Sequence, residues 1–206
     1  MYDYRPAEVP PALTRILTGL LPDDAERLVT AFRFAAAAHD GQTRDEGTPF
    51  IEHPLAVADI LNEELGCDDV DVLVAALNHD VLEDCGWLGE EAVAAVLGAR
   101  AMALVGYVTK EQAPECEKAA RDRRYLDHLR TIPREAKLLK LADRIHNLRS
   151  IPAANDPAKA RRYLDVSRDE FYPLALTVDP AAAVLVADAC DAIEVYLAGI
   201  DVETPE

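Results

Sequence analysis

Apolar positions recur every three to four residues along most of this chain, and no stretch shows the strict alternation of a half-buried strand. The spacing predicts a helix through Ala25–His39 that ends near Gly41, and another from about His53 to Leu65. Further helices are predicted over Val70–Asp84, Glu90–Leu97, Ala101–Val108, Ala119–Thr131, Arg134–Ser150, Ala158–Leu176 and Asp179–Ala198. Asp23 or Asp24 supplies the first N-cap, and proline at 54 suits a first turn. Residues 40–52, DGQTRDEGTPFIE, are polar and rich in turn formers, so they read as a loop. Pro133, Pro152, Pro157, Pro173 and Pro180 mark most breaks, and Pro173 should kink or end the segment it falls in. The fold class is therefore all-α. We expect roughly ten helices in a single domain over residues 1–206, with the C-terminal helix packed on the rest.

Composition agrees with that class. The 206 residues are half hydrophobic, with only 6% aromatics, which favours helices packed on small side chains over a β-sandwich. The net charge is −17. A surface so acidic repels nucleic-acid backbones and anionic membranes, so neither is expected as a partner. A phosphorylated ligand would need a metal or a local basic pocket to offset that field. The cysteines, Cys67, Cys85, Cys116 and Cys190, form no CxxC pair and are not expected to form disulfides. The N-terminus lacks the pattern of a signal peptide, and no apolar run approaches the ~20 residues of a membrane span. The expected location is cytoplasmic.

Chemistry concentrates in Ala75-Ala76-Leu77-Asn78-His79-Asp80-Val81-Leu82-Glu83-Asp84. An apolar segment here ends in four ionisable side chains, and burying even one unpaired would be costly. In a continuous helix residue 79 lies over 83 and residue 80 over 84. That layout puts two metal-ligand types one turn from two carboxylates. His53 opens the preceding helix, and Asp143 sits midway along a largely apolar one, where it needs a partner such as a divalent cation. Arg44, Lys137, Lys140, Arg144 and Arg149 add local positive charge. Lys137 and Lys140 read as a solvated helix face, whereas Arg44 lies in a polar loop beside His53. His39 reads as a helix-end or packing residue, His128 as exposed, and His146 as packing or hydrogen bonding.

The order His53…His79-Asp80…Asp143 resembles the HD-domain superfamily of metal-dependent phosphohydrolases. More closely, the chain is similar to the hydrolase domain of RelA/SpoT-type alarmone enzymes, especially the small free-standing hydrolases. The similarity is carried by Ala38-His39-Asp40-Gly41-Gln42-Thr43-Arg44, Gly47-Thr48-Pro49-Phe50-Ile51-Glu52-His53-Pro54, His79-Asp80-Val81-Leu82-Glu83-Asp84, Val108-Thr109-Lys110 and residues 140–149, KLADRIHNLR. It spans roughly residues 25–175. The resemblance implies an HD-domain helical bundle, with His53, His79, Asp80 and Asp143 as metal ligands. It implies that Glu83 and Asp84 position or activate water, and that Arg44, Asn147, Arg149 and Ser150 contact the nucleotide. Ser150 stands where the family often has Thr. The stretch from Phe171 to Ala175 is only loosely similar to a family motif and carries no role.

A mixed imidazole and carboxylate set suits manganese or iron more than a closed structural zinc site, and the resemblance implies manganese. The implied reaction is hydrolysis of the 3′-pyrophosphate of ppGpp or pppGpp, giving GDP or GTP and pyrophosphate. No synthetase domain follows in this sequence, so a stand-alone hydrolase is expected. Other substrates remain open: an adenine alarmone, a nucleoside monophosphate or the 2′-phosphate of NADPH. A silent nucleotide-binding regulator would also use this pocket, although the Glu83-Asp84 pair argues for turnover. The residual reading is a helical scaffold. The sequence leaves oligomeric state and regulation unspecified.

Overall fold

Val72 to Leu77 is the deepest part of the chain, with every side chain buried, so its helix must be enclosed on all faces. The computed structural model describes residues 9–203; the first eight and last three residues of the expected domain lie outside it. The described residues form α1 (Pro11–Leu17), α2 (Pro22–Ala38), α3 (Glu52–Asp59, continued by a π turn at Ile60–Glu64), α4 (Val70–Leu77), α5 (Val81–Asp84), α6 (Glu90–Leu97) and α7 (Ala99–Val108). A 3-10 turn at Glu115–Glu117 precedes α8 (Lys118–Leu129). The long α9 (Arg134–Ala154) and α10 (Pro157–Val166) follow, then a π turn at Ser167–Phe171, α11 (Tyr172–Val178) and α12 (Pro180–Glu203). The buried α4 is packed by α2, α3, α7 and α9, and α12 lies along α9 and α11. The all-α class holds, and the only β pairing among the described residues is an isolated bridge between Thr43 and Pro49. No helix among them is long and apolar enough to cross a membrane.

The structure differs from the periodicity at three places. The short α1 was not expected; it starts on Pro11 at its first turn and buries Leu13 and Ile16. The helix expected over Val70–Asp84 is broken at residues 78–80. Asn78 is fully buried, and its Nδ2 donates to the Val74 carbonyl (3.0 Å) and the Ala31 carbonyl (3.3 Å). A side-chain amide thus competes for a carbonyl of α4, as Asn does where helices end. The chain turns and restarts at Val81: the Asp84 N–H donates to Asp80 O (2.9 Å), so 80 and 84 keep the expected one-turn spacing, while the Glu83 N–H goes to Asp80 O (3.1 Å) rather than to the His79 O of a continuous helix.

Pro152 does not end α9, which runs on to Ala154 and is capped by Asn155 in the left-handed region (φ 51°). The proline falls in the last turn of a helix that packs extensively on α12. Pro173 does interrupt its segment. The chain widens into the π turn, with the Tyr172 N–H donating to Ser167 O, and the proline then falls in the first turn of α11.

Candidate functional site

The break after α4 decides where the chemistry sits. Neighbouring residues of a regular helix point about 100° apart and cannot converge on one atom. In the turn at 78–80 they can: His79 Nε2 and Asp80 Oδ2 lie 3.2 Å apart. The opening turn of α3 brings in His53, whose Nε2 is 3.4 Å from Asp80 Oδ2 and 3.2 Å from Asp143 Oδ1 on α9. Asp143 Oδ1 is 3.7 Å from His79 Nε2. His53, His79 and Asp143 are buried. These spacings suit donors around one ion with bonds of about 2.0–2.2 Å. The cluster of His53, His79 and Asp80 offers one donor atom per residue, all within 4.8 Å of one another.

The fit to a cation rests on one further observation. His79 Nε2 is buried with no hydrogen-bond partner, while its Nδ1 faces the Ala76 carbonyl at 2.8 Å. An N–H donated to that carbonyl leaves the Nε2 lone pair aimed into the cluster. His53 is similarly held, with its Nδ1 2.7 Å from His146 Nδ1. His146 therefore hydrogen-bonds a cluster member from outside. Such partners fix the ring orientation and tautomer of metal-binding histidines.

Electrostatics match a site built for positive charge. Burial opposes a charge on His79, but Asp80 and Asp143 outweigh it and push its pKa up to about 10 in the cation-free protein. Burial would raise Asp143, yet Lys140 and the two imidazoles hold it well below the usual carboxylate range. Lys140 reaches Asp143 Oδ2 at 2.7 Å. This corrects the expectation of a solvated Lys140: it is largely buried and braces the carboxylate. Burial, then the charge of His53 and Arg44, pushes His146 down to about 3.

Glu83 and Asp84 lie beside this cluster in α5. Glu83 Oε1 accepts the backbone N–H of Lys110 at 2.6 Å, so the second residue after α7 fixes one oxygen of that carboxylate. Burial raises the pKa of Glu83, against the pull of Lys140. Asp84 is raised by burial and by the charge of Asp80. Both line a cavity of about 510 Å³ that also exposes His53, Asp80 and Asp143.

Arg44 reaches this cavity through a small hairpin. Its N–H donates to Thr48 O, the Phe50 N–H donates to Gln42 O, and Gly47 supplies the positive φ (87°) that the turn requires. The guanidinium then donates to Asn147 Oδ1 (2.9 Å) and Ser150 Oγ (3.2 Å). Arg44 and Asn147 line the cavity, while Ser150 is outside the lining and steadies Arg44.

Arg149 is not brought to the site, contrary to the expectation that it contacts the nucleotide. It is outside the cavity lining and forms a two-pronged pair with Glu64 at 2.6 and 2.9 Å. Two residues along a helix is a rotation of about 200°, so Asn147 and Arg149 face opposite ways. That signal was present in the sequence. The remaining histidines follow their readings: His39 caps α2 and stacks on Phe50 (4.4 Å), and His128 is exposed.

Residues without an assigned role also line the cavity. Lys110, Tyr125, Arg144, Tyr163 and Phe171 join Lys140 on its walls. Lys110 and Lys140 sit 4.9 and 5.6 Å from the Tyr125 ring centroid. With Arg44, Arg144 and Arg162 they set five cations against the five carboxylates of Asp80, Glu83, Asp84, Asp122 and Asp143 on the cavity wall, a balance of charge on a protein whose net charge is −17.

Comparisons with known proteins agree with this geometry. A family model described as HD domain matches residues 31–178. The chain is 40% identical over 126 residues to the guanosine-3′,5′-bis(diphosphate) 3′-pyrophosphohydrolase MESH1 of Danio rerio, covering 60% of this chain and 68% of that protein. It is 41% identical over 130 residues to the Homo sapiens protein of the same name, covering 62% and 71%. It is also 34% identical over 169 residues to the bifunctional (p)ppGpp synthase/hydrolase SpoT of Escherichia coli, covering 80% of this chain but 24% of that protein. A solved structure described as a metazoan ortholog of SpoT that hydrolyzes ppGpp superposes with a TM-score of 0.71 at 27% identity, covering 79% of this chain and 93% of that one.

Proposed function

The chain belongs to the HD-domain family, and from that premise we propose that it is a manganese-dependent hydrolase that removes the 3′-pyrophosphate of ppGpp or pppGpp, leaving GDP or GTP. The observation that carries this reading is the convergence of His53, His79, Asp80 and Asp143 beside the Glu83-Asp84 pair, at a cavity that also presents Arg44, Lys110 and Lys140. The named activity of the similar MESH1 proteins supports the choice of substrate.

The residues that would hold the ion are His53, His79, Asp80 and Asp143. A divalent cation there supplies Lewis-acid chemistry, polarising a phosphoryl oxygen and acidifying a water. The protein's own groups do the rest. His146 and the Ala76 carbonyl keep the two imidazole Nε2 lone pairs facing inward. Glu83, anchored by the Lys110 N–H, accepts a proton from the attacking water or orients it, and Asp84 assists from the next position. Arg44, steadied by Asn147 and Ser150, offers its fork to a phosphate or a purine face. Lys110 and Lys140 lower the cost of bringing an anion into this acidic molecule.

The test is incubation with ppGpp, pppGpp, their adenine analogues and NADPH, across manganese, iron and zinc, with products identified. Release of pyrophosphate and GDP, greatest with manganese and absent in Asp80→Asn, is the expected result. Inactivity on the guanine alarmones, or undiminished turnover by Asp80→Asn, would overturn the reading.

A further inference from the structure

Arg44 on the cavity wall, and Arg121 and Arg149 outside its lining, are matched to oxygen acceptors. Arg44 has Asn147, Ser150 and Glu46, Arg121 has Asp122, and Arg149 has Glu64. The two lysines are matched too, Lys140 to Asp143 and Lys110 to Asp122. Two arginines of the lining, Arg144 and Arg162, lack such a match; Arg162 is exposed, whereas Arg144 is half-buried. Arg144 follows Asp143 directly on α9 and lines the cavity. Its guanidinium lies over two aromatic rings, Phe171 at 4.0 Å from Cζ to the centroid and Tyr163 at 4.6 Å.

A guanidinium meets the ring faces through its charge and its flat surfaces. That contact leaves its five N–H donors, which lie in the plane, without oxygen acceptors. In a protein with 38 acidic residues, a half-buried arginine in a cavity wall with no carboxylate paired to its donors stands out. The rings come from α10 and from the π turn before α11, so the widened backbone at Ser167–Phe171 helps set the clamp. Clamped in this way, the fork is held ready for an anion before one arrives, which removes an ordering cost from binding.

Successive helix positions diverge by about 100°, so Arg144 does not aim at the point on which Asp143 and the histidines converge. The cavity therefore presents two separate attractors for negative charge, the His53, His79, Asp80 and Asp143 cluster and the Arg144 fork. A ligand with anionic groups at both ends of a nucleoside would engage both. We propose that Arg144 anchors the group that does not react, the 5′-diphosphate of a nucleoside whose 3′-diphosphate lies at the four-residue cluster; this rests on the hydrolase reading above.

The test separates the two ideas. Binding of GDP and of guanosine is measured by calorimetry on protein carrying one manganese per chain, for the unaltered chain and for Arg144→Gln. GDP carries the 5′-diphosphate and no 3′ group. The unaltered chain is expected to bind GDP at least about tenfold tighter than guanosine, and Arg144→Gln to bring the two within about threefold, as charge-assisted hydrogen bonds to a phosphate imply. With ppGpp as substrate, the variant should raise KM roughly 10–100-fold while kcat changes little. If the unaltered chain does not prefer GDP, or if Arg144→Gln keeps the full preference because the diphosphate goes to the metal, the proposal falls. Should Arg144→Gln lose manganese or its cooperative melting transition, Arg144→Lys decides. It keeps the charge but not the fork, and an undiminished preference there overturns the proposal. Failure to hydrolyse ppGpp would overturn the hydrolase reading alone, since the GDP comparison needs no turnover.

Discussion

The Nδ1 atoms of His53 and His146 lie 2.7 Å apart. At that distance one ring must donate and the other accept, so a protonated His53 Nδ1 leaves its Nε2 free to face Asp80 and Asp143. His146→Phe keeps the bulk and removes the acceptor. Manganese affinity should weaken by about 10–100-fold while the protein stays folded. Calorimetric titration of the ion checks this, and an unchanged affinity would leave His146 with a packing role only.

Glu83 is predicted to act on the water rather than on the ion. Glu83→Gln should leave manganese content near that of the unaltered chain and reduce kcat by roughly 10²–10⁴. Its carboxyl must be ionised to accept a proton, and burial raises its pKa above 4.5. The acid limb of the kcat profile should therefore lie above pH 4.5, with activity lost as pH falls through it. Metal analysis beside a pH–rate series tests both statements, and loss of bound manganese in Glu83→Gln would contradict them.

Arg44 and Arg149 should part company. Arg149→Ala removes a surface pair with Glu64 and should cost no more than about 1 kcal/mol of stability, with KM within about twofold. Arg44→Ala removes a fork from the cavity and should raise KM by tenfold or more. Steady-state kinetics on both variants decides, and a large KM effect at Arg149 would restore the role that the resemblance implied for it.

Asp69 and Asp71 bind the start of α4 to its neighbours. Arg100 pairs with both, Arg27 pairs with Asp71, and Arg27 also donates to Leu97 O at 2.8 Å. Hydrogen bonds from Arg100 lower Asp69, and for Asp71 the two arginines outweigh the opposing effect of burial. With folded pKa values below the ordinary 3.8, the stabilisation is complete above that value and is lost as pH falls through the folded values. Because the guanidiniums are well exposed, Asp71→Asn should cost only about 1 kcal/mol at pH 7, less in high salt. The gap to the unaltered chain should close below about pH 3.8, as thermal melts over a pH series would show.

Much of this was legible in the chain itself. Helical periodicity located most segments, because each buries a stripe repeating near 3.6 residues. The four clustered donors could be singled out because ionisable groups stood in apolar surroundings. What periodicity could not see were the events that break it. Asn78 ends α4 by reaching Ala31, 47 positions away in the sequence, and that partner is set by packing. The hold of Asn147 on Arg44 spans 103 positions. Arg144 looked like one more basic residue until Tyr163 and Phe171, from two other segments, closed over it. Pro152 was read as a stop because local rules ignore the support α12 gives to α9.

The turn at 78–80 has a consequence for the stability of the whole molecule. Its two donors, with His53 on α3 and Asp143 on α9, belong to segments that enclose the core, so an ion held among them ties those segments together. Binding that favours only the folded form adds about 2.7 kcal/mol at a hundred times the dissociation constant, or roughly 5–10 °C in a chain of this size. Melting temperature should therefore climb with manganese and drop with a chelator. A thermometer would then serve as a gauge of how much of the protein is loaded, with no substrate in the tube.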